Sequence, residues 1–324
     1  MQLGYTLMTE QSGPKDLVRW AVGAEEAGFE FAVSSDHFFP WVDAMGHAPN
    51  AWVTLGAVAH ATSRIGLMTY VTNPTRRYRP AVVAQQAATL QLLSDGRFTL
   101  GLGAGENLNE HVIGEGWPPV AVREEMFREA VHIIRELLAG KGYTTFHGEY
   151  FRVDGGKIWD LPDGGVPIGI AVSGPSSCTL AGEQADVMIA VEPKAELGEI
   201  FDAAGGSGKP RVGQLPISYG TDQAAAVNRA HRLFPWYALG WKVMADLPGT
   251  AGFEAATQFV REEDVADGIP CGDDVDAVLE AAKAYADAGF THVALVQIGN
   301  DQQEPFLEWS QQTLMPAWRD AFGS

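Results

Sequence analysis

Short apolar runs alternate with longer segments of helical period from one end of the chain to the other. Leu3–Leu7 reads as extended chain. Pro14 opens a helix to about Ala27 in which Leu17, Val18, Ala21 and Val22 share a stripe, and Gly28 stops it. Glu30–Ser34 is the second predicted strand, followed by a loop and a helix over Ala51–Ala61. Ile65–Val71 is the third strand, Ala81–Leu93 the helix behind it and Arg97–Gly101 the fourth strand. A helix over Val120–Ala139 and an inserted hairpin within Thr144–Asp160 come next, the hairpin marked by alternating aromatics and a Gly-Gly pair. Strands are then predicted at Val166–Val172, Asp186–Val191, Pro210–Gly220 and His292–Gln297. Helices separate them, and Phe306–Phe322 closes the chain as one more.

Eight strands alternating with helices, and no break in composition, predict an α/β fold: one (β/α)8 barrel over residues 1–324. Its insertions fall at about 36–50, 103–119, 144–160 and 222–287. An open doubly wound sheet is the alternative, but it should offer a Gly-x-Gly-x-x-Gly turn after the first strand. That strand ends instead in Met8-Thr9-Glu10-Gln11.

The charge balance narrows the partners. With 22 basic against 41 acidic residues the chain carries −19, a surface that repels phosphate backbones and anionic lipid. A small-molecule substrate is therefore expected, with no nucleic acid and no membrane. No apolar run reaches the ~18–20 residues of a membrane span, and the N-terminus reads directly as a strand, so a cytoplasmic protein is expected. Cys178 and Cys271 show no zinc spacing and no disulfide framework. The histidines other than His37 show no metal-ligand spacing, and no metal is expected.

In a barrel of this kind, chemistry gathers where strands end. Asp36, His37 and Trp41 follow the second strand: a carboxylate, an imidazole able to take and give a proton near neutrality, and an indole able to exclude water. A helix cap with two packing aromatics accounts for the same stretch equally well. Glu10 ends the first strand, where it can orient His37 or cap the following helix. Gly101-Leu102-Gly103-Ala104-Gly105-Glu106-Asn107-Leu108-Asn109 follows the fourth strand. Its glycines permit close approach to a flat ligand edge, with Glu106 and Asn109 in reach of it, or simply make a tight turn. Arg76, Arg77 and Arg79 are candidates for phosphate or carboxylate groups. Ser173-Gly174-Pro175 joins a glycine turn to a helix start whose amides suit an anion. Lys194, and Trp236 and Trp241 in the long excursion, are further candidates, for substrate contact and for a roof.

Three of these stretches together resemble the F420-dependent glucose-6-phosphate dehydrogenase group of the luciferase-like flavin and deazaflavin superfamily. They are Ser34 to Trp41, Asn73-Pro74-Thr75-Arg76-Arg77-Tyr78-Arg79-Pro80-Ala81 and Gly103 to Glu110, in that order and over nearly the whole chain. The resemblance implies a luciferase-like barrel with coenzyme F420 in its mouth. Asp36, Tyr70, Val71, Thr75, Arg76, Gly105, Glu106, Asn109, Ala171, Val172, Ser173 and Gly174 would hold the cofactor, with a cis peptide at Tyr70-Val71. It also implies that His37, oriented by Glu10, takes the proton of a substrate hydroxyl while hydride passes to the deazaflavin. Glu106 would protonate the ring edge, Trp41 would shield the reacting pair and contact substrate, and a homodimer is expected.

The chain departs from the group at the phosphate site of the substrate. Lys194 matches one member of the cationic cluster, but Ala255 and Gly268 stand at the other two positions. An alcohol or carbonyl compound is therefore expected as substrate in preference to glucose 6-phosphate. Alternatives are an FMN-dependent monooxygenase on the same fold and a non-catalytic deazaflavin-binding protein.

Overall fold

The apolar runs become the staves of a closed parallel barrel, seen in a computed structural model that describes residues 1–323. The staves are β1 (Gln2–Leu7), β2 (Phe31–Ser34), β3 (Gly66–Thr69), β4 (Phe98–Leu102), β5 (Ile168–Ala171), β6 (Val187–Ile189), β7 (Arg211–Tyr219) and β8 (His292–Gln297). Each pairs in parallel with the next in sequence, β8 returns to β1, and β6 pairs with β7 to complete the ring. The predicted (β/α)8 topology is therefore the one found. The hairpin is also present, as antiparallel strands Thr144–His147 and Arg152–Gly156 outside the ring.

Register decides what shares the mouth. Leu7 lies beside Ser34 and Ser34 beside Thr69, so the first three strands end level. Whatever follows them emerges on one rim. Inside the barrel Val33, Met68, Ile189, Val212 and Ala294 fill the lumen, and the helices cover the outer faces with a larger apolar layer. Among the described residues, no helix is long and apolar enough to cross a membrane.

Several boundaries differ from the sequence reading. β3 stops at Thr69, just before a cis peptide bond between Tyr70 and Val71. β6 is three residues, shorter than the apolar run that suggested it. The closing helix is two, Gln303–Trp309 and Met315–Phe322, joined by a wide π turn over Ser310–Leu314. Pro316 has no amide hydrogen to return to the preceding turn, so a continuous α-helix cannot pass through it without a defect.

The excursion between β7 and β8 folds over the mouth as a roof. Its helices Gln223–Leu233, Gly249–Thr257 and Glu262–Ala266 enclose Phe234, Phe253, Val265 and Ile269, which pack onto Met8, Trp41 and Leu108 of the rim. A two-residue strand, Cys271–Gly272, ties the end of the roof to β7.

One close approach under the mouth has an energetic consequence. A Cβ at Gly101 would lie 1.9 Å from the carbonyl oxygen of Thr69, in the neighbouring strand. That backbone cannot move without opening the β3–β4 pairing. Gly101→Ala is expected to destabilise the fold by roughly 2 kcal/mol or more, as overpacked sites do. An unchanged urea unfolding midpoint would contradict this.

Candidate active site

Because β1 and β2 end side by side, Glu10 and the Asp36-His37 pair are delivered to one place. Glu10 is fully buried and heavily hydrogen-bonded: the Thr9 hydroxyl and the Ser35 hydroxyl both donate to its Oε2, the first at 3.1 Å. The Trp41 indole Nε1 donates to Oε1 at 3.1 Å. A buried carboxylate needs such partners, since burial otherwise penalises its charge heavily.

His37 sits between two carboxylates. Its Nε2 lies 3.1 Å from Glu106 Oε1, and its Nδ1 lies 3.5 Å from Glu10 Oε1. Nδ1 also donates to the Phe39 carbonyl oxygen at 3.0 Å. Both ring nitrogens therefore face groups that accept, which is the arrangement of an imidazolium. Burial opposes that charge, but Glu10, Glu106 and the hydrogen bond to Glu106 outweigh it, and the His37 pKa rises to about 9.

Glu106 arrives from β4. Its Oε1 also accepts from Asn109 Nδ2 at 2.6 Å, while Asn109 Oδ1 accepts from the amides of Phe38 and Phe39 at 2.8 and 3.1 Å. Asn109 thus braces the His37 loop against the Glu106 loop. The roof holds the same loop: the Asn107 amide donates to Ala245 O, and Trp117 and Arg123 both donate to Asp246 Oδ1 at 2.9 Å. Trp41 lies 4.9 Å from the His37 ring, stacks on Trp236 at 4.5 Å and meets Phe253 edge-on. Of the two roof tryptophans, Trp236 reaches the mouth, whereas Trp241 is 41% exposed.

Asp36 is engaged within the protein. Thr72 Oγ1 donates to it at 2.6 Å, Tyr78 at 3.2 Å and Arg77 at 3.4 Å, and Arg77 also holds the Asp36 carbonyl oxygen at 2.7 Å. Arg77 completes a buried bridge to Glu110 at 3.0 Å. The three arginines expected to act together do not form one cluster. Arg77 belongs to this bridge, Arg76 reaches Gly116 O and Glu115, and Arg79 is exposed beside the Phe151 ring.

Tyr70, Val71 and Ala171 are half-buried against the lumen cluster, and together they form an apolar wall of the mouth. Gly105 has φ +78°, and a Cβ there would lie 2.2 Å from Asn73 Nδ2. Its close approach is therefore to the protein's own rim. Thr75 donates its amide and hydroxyl to Asn73 Oδ1, yet Asn73 Nδ2 and Arg76 Nε are buried without partners. Two orphaned donors at the mouth are what a ligand rich in acceptor oxygens would satisfy. At the turn beyond Val172, the Ser173 and Gly174 amides already donate to Ser177 Oγ at 3.0 and 3.2 Å, so they are not free for an anion. Lys194 is half-exposed, with its Nζ 2.6 Å from Glu192 Oε2.

Thr9, Ser35, Asn73 and Glu192 belong to the site without a role that the sequence pattern assigns them. The first three carry no spacing signal, since their role depends on which strands are neighbours. Glu192 was visible as an acid two positions before Lys194.

The profile of the luciferase-like monooxygenase family matches residues 1–292. The F420-dependent glucose-6-phosphate dehydrogenase of Rhodococcus erythropolis is 37% identical over 98% of each chain. The enzyme of that name from Nakamurella multipartita is 36% identical over 100% of this chain and 98% of its own. Among solved structures, an F420-dependent secondary alcohol dehydrogenase in complex with an F420-acetone adduct superposes with a TM-score of 0.89 at 28% identity, covering 98% of both chains. The coenzyme F420 dependent tetrahydromethanopterin reductase from Methanopyrus kandleri shares the fold, with a TM-score of 0.78 at 21% identity over 98% of this chain and 99% of its own. With its barrel, its Glu10–His37–Glu106 mouth and relatives matched end to end, the chain belongs to the luciferase-like family.

Proposed function

We propose that this protein is a coenzyme F420-dependent oxidoreductase that interconverts an uncharged alcohol and its carbonyl compound, with His37 handling the proton. The observation that carries the reading is an imidazole clamped between Glu10 and Glu106 beneath Trp41, in a barrel whose full-length relatives bear F420-dependent names.

The mouth suits the cofactor. Asn73 Nδ2 and Arg76 Nε are buried donors in need of acceptors, and Tyr70, Val71 and Ala171 offer an apolar wall to a planar ring. Gly105 and Thr75 shape the floor beside Asn73, and Val172, Ser173 and Gly174 border the far rim. When bound, the deazaflavin supplies two-electron hydride chemistry. The chain's own part is protonic and positional. His37 Nε2 carries a proton opposite Glu106 that it can give to a carbonyl oxygen, and the neutral ring can take one from a hydroxyl. Glu10 fixes the ring from the Nδ1 side. Trp41 and Trp236 exclude water, which strengthens every charge interaction in the mouth. Asp36, Arg77 and Glu110 hold the His37 loop in place. Glu106 Oε1 already accepts from His37 and Asn109, so any proton Glu106 delivers to a ligand is best supplied through His37.

Glucose 6-phosphate is expected to be a poor substrate. Lys194 is paired with Glu192, and Ala255 and Gly268 stand where the resemblance puts further cations. The protein is assigned to the cytoplasm, where the free thiols of Cys178 and Cys271 are at home. We also assign a homodimer. Helices Ala51–Ala61 and Pro80–Leu93 pack together and leave Val53, Val82, Leu92 and Leu93 exposed, a face suited to a second copy.

Adding alcohols to F420-loaded protein should bleach the oxidised deazaflavin, and His37→Ala should lower kcat/KM by about 10²–10⁴, the range for a positioned acid or base; full activity in that variant would remove His37 from the mechanism. Alcohol oxidation needs neutral His37, so its rate should rise with pH through about 9, whereas carbonyl reduction needs the cation and should fall there. Glu10→Gln removes one of the charges that raise this pKa, and both limbs should move to lower pH. Light scattering should give twice the chain mass, and Leu93→Glu should weaken that association; a monomer at micromolar concentration would dismiss the dimer.

A further inference from the structure

The rim facing His37 carries an ion pair that the proposed reaction leaves unused. β6 stands four places from β2 in the eight-stranded ring, so the loop after Ile189 faces the His37 loop across the mouth. There, Glu192 Oε2 lies 2.6 Å from Lys194 Nζ. The Lys194 amide also donates to the Glu192 carbonyl oxygen at 2.9 Å, a tight turn that folds the two side chains together. Glu196, in the first turn of helix Ala195–Phe201, adds a second negative charge acting on the lysine.

The pair sits where rim and roof meet. After burial, the charge of Glu192 is a further cause raising the pKa of the Tyr237 and Tyr285 phenols. Tyr285 is anchored to this rim, donating to Val191 O and Gln214 O at 2.7 Å. Tyr237 belongs to the roof, adjacent in sequence to the Trp236 that stacks on Trp41. An alcohol with its carbinol at His37 and its remainder running across the mouth would therefore end near Glu192 and Lys194.

We propose that Glu192 is a specificity-determining residue: it neutralises Lys194 and, with Glu196, makes the far end of the substrate pocket repel anions. Lys194 alone would present one positive charge to a phosphate; with the two glutamates the local sum is one negative charge. Both side chains of the pair are about half exposed, 50% for Lys194 and 58% for Glu192, so the pair contributes little to holding the fold. Its effect falls on which ligand can approach. A repulsive element of this kind discriminates against one substrate class without added contacts to the other. The inference rests on the F420-dependent alcohol reading for the identity of the pocket.

The test compares wild type, Glu192→Gln, Lys194→Met and the double variant, all loaded with F420. Inorganic phosphate is titrated calorimetrically, and kcat/KM is measured for propan-2-ol and for glucose 6-phosphate. Glu192→Gln is expected to bind phosphate about tenfold or more tightly than wild type, and to raise the glucose 6-phosphate to propan-2-ol ratio by a similar factor. Both gains should vanish in the double variant, because they depend on the freed lysine. Unchanged phosphate affinity in Glu192→Gln overturns the proposal, as does a gain that survives Lys194→Met. Lack of turnover with any alcohol would sink the dehydrogenase reading instead, and the calorimetric comparison would still decide the role of Glu192.

Discussion

One imidazolium held between two buried carboxylates organises the mouth of this barrel. Glu10 and Glu106 come from strands one and four, and neither would be tolerated under the roof without a cation and donors to meet it. The Thr9, Ser35 and Trp41 donors hold Glu10, and Asn109 supports Glu106. His37 then satisfies both acids at once. Its raised pKa follows from this arrangement, and so does the fixed orientation of its ring.

A second charge network underlies the first. Arg77 joins Asp36 to Glu110 and also grips the Asp36 carbonyl oxygen, one peptide from His37. The loop bearing the imidazole is thereby fastened at its base. Asn109 fastens its outer part through the Phe38 and Phe39 amides. The fixed position of His37 comes from these supports, and the proton transfer proposed for it needs such positioning, which a loop left to itself would not supply.

In the proposed enzyme, substrate choice falls to peripheral residues. The Glu10–His37–Glu106 centre is enclosed by Trp41, Trp236 and Phe253, whereas the opposite rim carries Lys194 and Glu192 in a more exposed setting. The proton transfer proposed for His37 and the anion rejection proposed for Glu192 thus fall on different strands of one ring.

The order of apolar runs and helical stripes was enough to read the barrel, because strand and helix periods are local properties of the chain. His37, Glu10, Trp41 and Glu106 were legible for a related reason: each follows a strand, and strand ends in such a barrel converge. Other features were beyond the one-dimensional pattern. Arg76, Arg77 and Arg79 look like one anion site in sequence but meet three sets of partners, since successive side chains leave a loop in different directions. The Ser173 and Gly174 amides looked free until Ser177 turned back onto them. The chain alone specified which groups arrive at the mouth. Only tertiary packing decided which of them spend their charges and donors on one another, because that depends on distances between strands remote in sequence.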